Sequence, residues 1–286
     1  MKTLKQILKE AETKHIAVGH FNVSDLVALR AVFEAARELG VPVLIGTSEG
    51  EQEFIGPYQA VALIRSLREE YNWPIFLNAD HTHSLDRVKE AAEAGYDEIL
   101  FDGSKLPFEE NVKQTKQAVE IVKSINPQIL IEGEIGYIGS SSEVMKERPA
   151  GIELTTPEEA EKFVKETGVD ILAPAVGNMH GLLEQMAEGK LQKHLDIERI
   201  KKIKKAAVVP LTLHGGSGTA DKDFREAIKA GVSIIHINTE IRLAWRRGIE
   251  EGLKKNPNEV APYKILPPAL EGIKEIVKNR LKLFQG

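Results

Sequence analysis

Short runs of Val, Ile, Leu and Phe recur eight times along the chain, each followed by a stretch in which apolar residues return at helical spacing. The runs are Ala17–Asn22, Pro42–Thr47, Pro74–Ala79, Glu98–Phe101, Gln128–Glu132, Asp170–Ala175, Val209–Leu213 and Ser233–Asn238. Their nearly continuous apolar interiors fit parallel strands buried on both faces. The intervening stretches predict amphipathic helices, among them Asp25–Leu39, Pro57–Tyr71, Leu85–Ala94, Glu109–Ser124, Pro157–Thr167 and Ala220–Ala230. Gly40, Gly95, Gly168 and Gly231 each stand between a helix and the next strand, where a left-handed cap is wanted.

This alternation predicts an α/β fold, a (β/α)8 TIM barrel forming one domain over residues 1–286, with no linker or composition shift to divide it. An open doubly wound sheet would need a glycine-rich turn after its first strand, and Asn22-Val-Ser-Asp25 does not supply one. Two long insertions, Gly136–Thr156 after the fifth strand and Val176–Leu195 after the sixth, fall on loops that form the functional face of such a barrel. Past the eighth strand come a helix over Glu240–Lys255 and an additional C-terminal helix from about Pro268 to Phe284, a candidate interface element.

Composition narrows the partners. The net charge of −5 leaves no broad basic surface, so neither nucleic acid nor an anionic membrane is expected. Zero cysteines exclude disulfides, thiolate metal sites and cysteine nucleophiles, and fit a reducing compartment. The start, Met1–Lys14, is amphipathic and charged and lacks the apolar core of a secretory signal, and no apolar run is long enough to span a bilayer. A cytoplasmic location is the expectation.

Polar residues gather where the predicted strands end: His20 and Asn22, Ser48, Asn78, Asp80, His81 and His83, Asp102, Glu132 and Glu134, Asn178 and His180, His214, and His236, Asn238 and Thr239. A single histidine at a strand end is more often a hydrogen-bonded structural residue than a ligand. Several at one barrel rim, with carboxylates, suit a catalytic metal held by three imidazoles with an open position. In Leu213-His-Gly-Gly-Ser-Gly218, the glycines, Gly215 and Gly216 among them, let backbone N–H groups approach an anion, and Ser217 adds a hydroxyl. Asn238 and Thr239 open the next helix, a second anion-binding feature. The loops after strands seven and eight are the common phosphate site of this fold. None of the eight runs contains a lysine, which counts against a Schiff base and for a metal as electron sink.

Through these residues the chain resembles the class II fructose-bisphosphate and tagatose-bisphosphate aldolases. The resemblance runs from Val18-Gly-His-Phe-Asn22 through Asp80-His81, Phe101-Asp-Gly-Ser104, Pro107-Phe-Glu-Glu-Asn-Val112, Glu132-Gly-Glu-Ile-Gly136, Gly177-Asn-Met-His-Gly181, Leu213-His-Gly-Gly-Ser-Gly218 and Ile237-Asn-Thr-Glu240. It implies one zinc ion on His81, His180 and His214, with Glu134 as a supporting or alternative ligand. Asp80 would exchange a proton with the hydroxyl beside the scissile bond. Gly181, Gly215, Ser217, Asn238 and Thr239 would bind phosphate, some of them also framing a monovalent cation such as K⁺ or Na⁺. Asn22 and Ser48 would line the substrate pocket. A homodimer or homotetramer is implied as well.

Three departures from the family pattern stand out. Members usually carry Gly-Gly-x-Glu-Asp after strand five, the Glu shuttling a proton on the triose carbon; here the loop reads Gly139-Ser-Ser-Ser-Glu143, with Ser142 at the aligned position. Glu143 is the candidate acid/base, with Glu147 and Glu153 behind it. His236 stands where members often have Asn, at a substrate-contacting position. Asp80-His-Thr-His83 adds a second histidine beside the first.

The leading expectation is reversible cleavage of fructose 1,6-bisphosphate to dihydroxyacetone phosphate and glyceraldehyde 3-phosphate through a zinc-stabilised enediolate. Tagatose bisphosphate or another ketose phosphate is the near alternative. A metal-dependent sugar-phosphate isomerase or epimerase is a second class, and a non-catalytic sugar-phosphate sensor a third, both motivated by the altered loop.

Overall fold

All eight predicted runs become parallel strands of one closed barrel. The computed structural model describes residues 1–139, 142–147, 151 and 153–286. Its strands are β1 (Val18–Asn22), β2 (Val43–Ser48), β3 (Ile75–Thr82), β4 (Glu98–Phe101), β5 (Leu130–Ile135), β6 (Val144–Met145), β7 (Ile171–Pro174), β8 (Leu182–Leu183), β9 (Leu211–Leu213) and β10 (Val232–Ile237). The barrel order is β1-β10-β9-β7-β5-β4-β3-β2, with β1 pairing β2 on one side and β10 on the other. The two-residue strands β6 and β8 form a separate parallel pair joining the two insertions.

Side chains alternate across a strand, so every second residue enters the barrel. Val18, Leu44, Phe76, Leu130, Ile171 and Ile234, one from each of six strands, form an apolar bottom layer against Leu4, Ile7, Leu8 and Ala11. These last belong to an N-terminal helix, Leu4–Lys14, that plugs the barrel from below and is opened by a Thr3–Gln6 capping box. Two residues further along the strands the interior turns polar, with His20, Asn78, Glu98, Glu132 and His236 all buried. Two more bring Asn22, Asp80, Glu134 and Asn238 to the upper rim. The outer wall is largely apolar and packs on the surrounding helices.

The four cap glycines adopt the left-handed conformation expected of them, at φ 71° for Gly40, 98° for Gly95, 74° for Gly168 and 117° for Gly231. Some boundaries differ from the sequence pattern. β5 is displaced towards the C-terminus, so Glu132 and Glu134 lie within the strand and face the interior instead of ending it. β3 continues three residues past its apolar run, through Asp80 and His81. Helix Glu49–Ile55 forms where no element was predicted, and the helix that follows the sixth run begins only after its long insertion, at Ile197–Ala207. The C-terminal helix, Pro267–Phe284, buries Ile273, Val277, Leu281 and Phe284 inside its own chain, so its apolar face is already used.

Candidate active site

Asp80 and His81 are neighbours in one strand, and simple alternation would turn them to opposite faces. The strand escapes that rule through a bulge. Between Ala79 and Thr82 the pairing with β4 slips by one residue, and His81 takes φ 52°, a left-handed value rare outside glycine. Both side chains thereby reach the same space above the barrel interior, their closest ring-to-carboxylate approach being 3.6 Å.

His180 and His214 arrive from the loops after β7 and β9. The His81 ring centroid lies 4.7 Å from that of His180 and 4.8 Å from that of His214. With Glu134 they form a group whose ligand atoms all lie within 4.8 Å of one another. Hydrogen bonding engages one nitrogen of the His81 ring and one of the His214 ring and leaves the other free. His81 Nδ1 faces Asp102 at 2.8 Å, and His214 Nε2 faces Glu132 at 2.7 Å. Buried His81 Nε2, His180 Nε2, His214 Nδ1 and Glu134 Oε2 have no hydrogen-bond partner among the described residues. Orphaned buried polar atoms carry a desolvation cost unless something satisfies them. Three imidazole nitrogens and a carboxylate, two of the rings backed by carboxylates, fit a divalent transition metal.

Electrostatics agree with a site that wants a cation. Burial pulls the His81 ring down, but Asp80, Glu134 and Asp102 outweigh it and hold the ring protonated well above the usual histidine range. Burial and the charges of His81 and His214 push His180 well below that range. Burial raises the Asp80 carboxyl, yet His81, His236 and His20 together keep it ionised well below the usual carboxylate range. Glu134 goes the other way, pushed up by burial and by Asp102. Glu98 is likewise raised by burial and by Glu132.

Around this group the other sequence-predicted residues take definite places. Asn22 Nδ2 donates to Asp80 Oδ2 at 2.8 Å and to Glu51 Oε2 at 2.9 Å. A cavity of about 300 Å³ opens above Asp80 and His81, lined also by Ser48, Asp102, Ser142, Glu143, His180, Asn238 and Arg242. Glu143, rather than Glu147 or Glu153, stands among its lining residues. Its backbone carbonyl accepts from Leu182 N at 2.8 Å, so the β6–β8 pair brings it there. Ser140 and Ser141 of the same loop lie outside the described residues. A narrower recess adjoins the cavity and is lined by Gly181, Gly215, Ser217, His236, Asn238 and Thr239 with Asp80 and His214.

Gly216, also expected at the phosphate, is not among the residues that line this recess. Gly216 donates its N–H to His236 O at 3.0 Å, so that donor is spent inside the fold. A Cβ there would sit 2.7 Å from the same oxygen, which accounts for the glycine by packing. His83 keeps out of the metal-type group; its side chain is 46% exposed and leans on Asp102.

Four features had no assigned role in the sequence. Asp102 and Glu132 back imidazoles, a role that strand-end carboxylates could have suggested. Arg242 reaches the cavity rim while bonded to Glu51. His20 stacks flat on His236, centroids 3.4 Å apart at 3°, and holds Asn78 Oδ1 at 3.0 Å. Lys193, in the second insertion, is buried with its ammonium on the carbonyls of Met179, Gly181 and Gly215.

Residues 2–286 match the family described as "Fructose-bisphosphate aldolase class-II". The chain belongs to the class II fructose-bisphosphate aldolase family. Among relatives, the fructose-bisphosphate aldolase of Geobacillus stearothermophilus is 35% identical over 99% of this chain and 96% of its own length. A probable fructose-bisphosphate aldolase of Bacillus subtilis is 34% identical over the same shares. The crystal structure of the YdjI aldolase from Escherichia coli K12 superposes with a TM-score of 0.80 at 29% identity, covering 99% of this chain and 96% of that one. The aldolase is thus a carbon–carbon lyase on a (β/α)8 barrel, of a family that acts on phosphorylated sugars and generally depends on a metal. No described helix of the aldolase is long and apolar enough to cross a membrane.

Proposed function

We propose that the chain reversibly cleaves fructose 1,6-bisphosphate to dihydroxyacetone phosphate and glyceraldehyde 3-phosphate, with one zinc ion on His81, His180 and His214 and Glu134 beside them. The observation that carries this reading is the convergence of three buried, unpartnered imidazole nitrogens next to the ionised Asp80. Zinc, when bound, supplies Lewis-acid stabilisation of the charge that develops at the ketose carbonyl.

The remaining chemistry belongs to the chain. Asp80 takes the proton of the hydroxyl on the aldehyde side of the scissile bond as that bond breaks. Asn22 holds one Asp80 oxygen, and Oδ1 is left without a hydrogen-bond partner for the transfer. Glu143, at the cavity wall, returns a proton to the triose carbon. Gly181, Gly215, Ser217, Asn238 and Thr239 receive one phosphate in the recess at the start of helix Thr239–Lys255, where backbone N–H groups and the helix end favour an anion. Arg242 at the cavity rim serves the second phosphate, and Ser48 lines the space between. We place the enzyme in the cytoplasm, as a homodimer or homotetramer.

The His20–His236 stack beneath Asp80 favours a second reading, a ketose phosphate of different hydroxyl stereochemistry, such as tagatose 1,6-bisphosphate. Triose-phosphate release from both bisphosphates, before and after chelation, tests the proposal. Activity that vanishes on chelation and returns with zinc supports it; cleavage that survives complete metal removal rejects it. Conversion to an epimer without triose release would favour the isomerase class instead. In the same assay Glu143→Gln should lose about a hundredfold in kcat, and unchanged turnover would remove Glu143 from the mechanism.

A further inference from the structure

Lys193 is 2% exposed, an unusual place for an ammonium group. Its backbone lies alongside the glycine loop, donating to Gly218 O at 2.9 Å, accepting from Ala220 N at 3.2 Å and bridging Thr219. From there the side chain runs back under the loop. Nζ donates to Met179 O at 2.7 Å, Gly181 O at 2.7 Å and Gly215 O at 2.9 Å. Its three hydrogen-bond partners among the described residues are all backbone carbonyls. A neutral amine has two hydrogens and an ammonium three, so three accepting carbonyls call for the charged form. Burial works against that charge and draws the pKa down to about 7, while Glu240 supports it from a distance.

The three carbonyls make the kind of cage that takes a bare monovalent cation, because oxygens at these distances replace a hydration shell. They also occupy a telling position. Met179 and Gly181 flank His180, and Gly215 follows His214, so one positive centre sets the spacing of two candidate metal ligands. Gly181 and Gly215 line the recess. The peptide that presents the Gly181 carbonyl presents, on its other side, the Leu182 N–H that holds the Glu143 carbonyl. The same positions were expected, from the family resemblance, to frame a K⁺ or Na⁺ ion. That ion does not fit here, since the Lys193 ammonium already occupies the space between the carbonyls of Met179, Gly181 and Gly215 and would repel a second cation.

We infer that Lys193 is a built-in monovalent cation: its ammonium fills the carbonyl cage behind the phosphate recess and makes the enzyme independent of K⁺ and Na⁺. The inference rests on the reading that the recess receives a substrate phosphate. Lys193 acts as a positioning residue, fixing the loops of His180 and His214 and placing positive charge one layer behind the anion.

The test compares the wild type, Lys193→Ala and Lys193→Met in buffers whose only cation is tetramethylammonium, then with K⁺ or NH₄⁺ added at matched ionic strength. Triose-phosphate release and, without substrate, melting temperature are both read. The wild type should respond to neither ion. Lys193→Ala opens the cage and should lose about tenfold or more in kcat/KM, chiefly through KM, with recovery and a higher melting temperature on adding NH₄⁺ or K⁺. Lys193→Met fills the cage without charge, so its loss should not be restored. Strong activation of the wild type by K⁺ or Na⁺ would overturn the inference, as would a Lys193→Ala protein indifferent to the ions in both readouts. Should the wild type cleave neither bisphosphate, the substrate reading fails, and the melting series still decides whether the cage takes a cation. If Lys193→Ala does not fold, inorganic phosphate binding by Lys193→Met decides, and affinity equal to wild type would overturn the proposal.

Discussion

Asp102 shows how a residue outside the proposed ligand set can govern it. Its carboxylate fixes His81 Nδ1 at 2.8 Å, and Ser104 holds its other oxygen at 2.6 Å. Such partners set the tautomer and aim of a metal-binding imidazole. Asp102→Asn should therefore weaken zinc binding about 10- to 100-fold with little change in fold, measured by competition with a fluorescent chelator. His20 makes a different prediction. Burial, the largest influence, lowers its pKa from 6.5 to about 4. The unfolded chain thus takes up this proton between pH 6.5 and 4 while the folded chain resists, so the contribution of His20 is complete above pH 6.5 and is lost as the pH falls towards 4. Each pKa unit is worth about 1.4 kcal/mol, so the loss is about 3 kcal/mol. Denaturant titrations of metal-free protein across that window should show a steeper decline for the wild type than for His20→Ala. At this scale the sequence displayed the candidate histidines plainly. Which nitrogen of each was free depended on partners such as Asp102 and Glu132, which no local pattern reveals.

Strands and loops add constraints that belong to no single side chain. β2 carries Gly46 where a Cβ would lie 2.1 Å from His20 Cε1, so the glycine gives the His20–His236 stack its room. Gly46→Ala should cost about 1–3 kcal/mol by overpacking, and the double variant with His20→Ala should recover most of it. Parallel changes in the two denaturation curves, with no recovery, would break the link between them. The elements themselves were largely legible. Apolar runs marked every barrel strand, and glycine caps marked four helix ends, because backbone sterics and burial act over a few residues. The bulge at His81 left no such mark: its sequence, Ala-Asp-His-Thr, reads as an ordinary polar end to a strand, and only the pairing with β4 forces the extra residue. The β6–β8 pair, which carries Glu143 to the cavity wall, was equally invisible, since two-residue strands have no periodicity to detect.

For the whole molecule, the closed barrel brings residues distant in sequence to one mouth and seals the other end with the N-terminal helix. The C-terminal helix spends its apolar face within the chain, packed on helices Leu26–Leu39 and Thr239–Lys255, which leaves its polar face for any subunit contact. Light scattering should return twice or four times the chain mass; a monomer at working concentrations would end the oligomer proposal. Read alone, the sequence determined the alternation of strand and helix, the barrel, the polar ends of its strands and the family to which it belongs. These rest on local periodicity and on residue types that a short window contains. Tertiary structure decided the rest: that His81, His180 and His214 share one centre, that Glu143 stands at the cavity, and that an ammonium sits in a cage of carbonyls. Barrel closure and strand register set those distances, and every residue has a carbonyl, so nothing in the order of side chains could announce which three would meet Lys193.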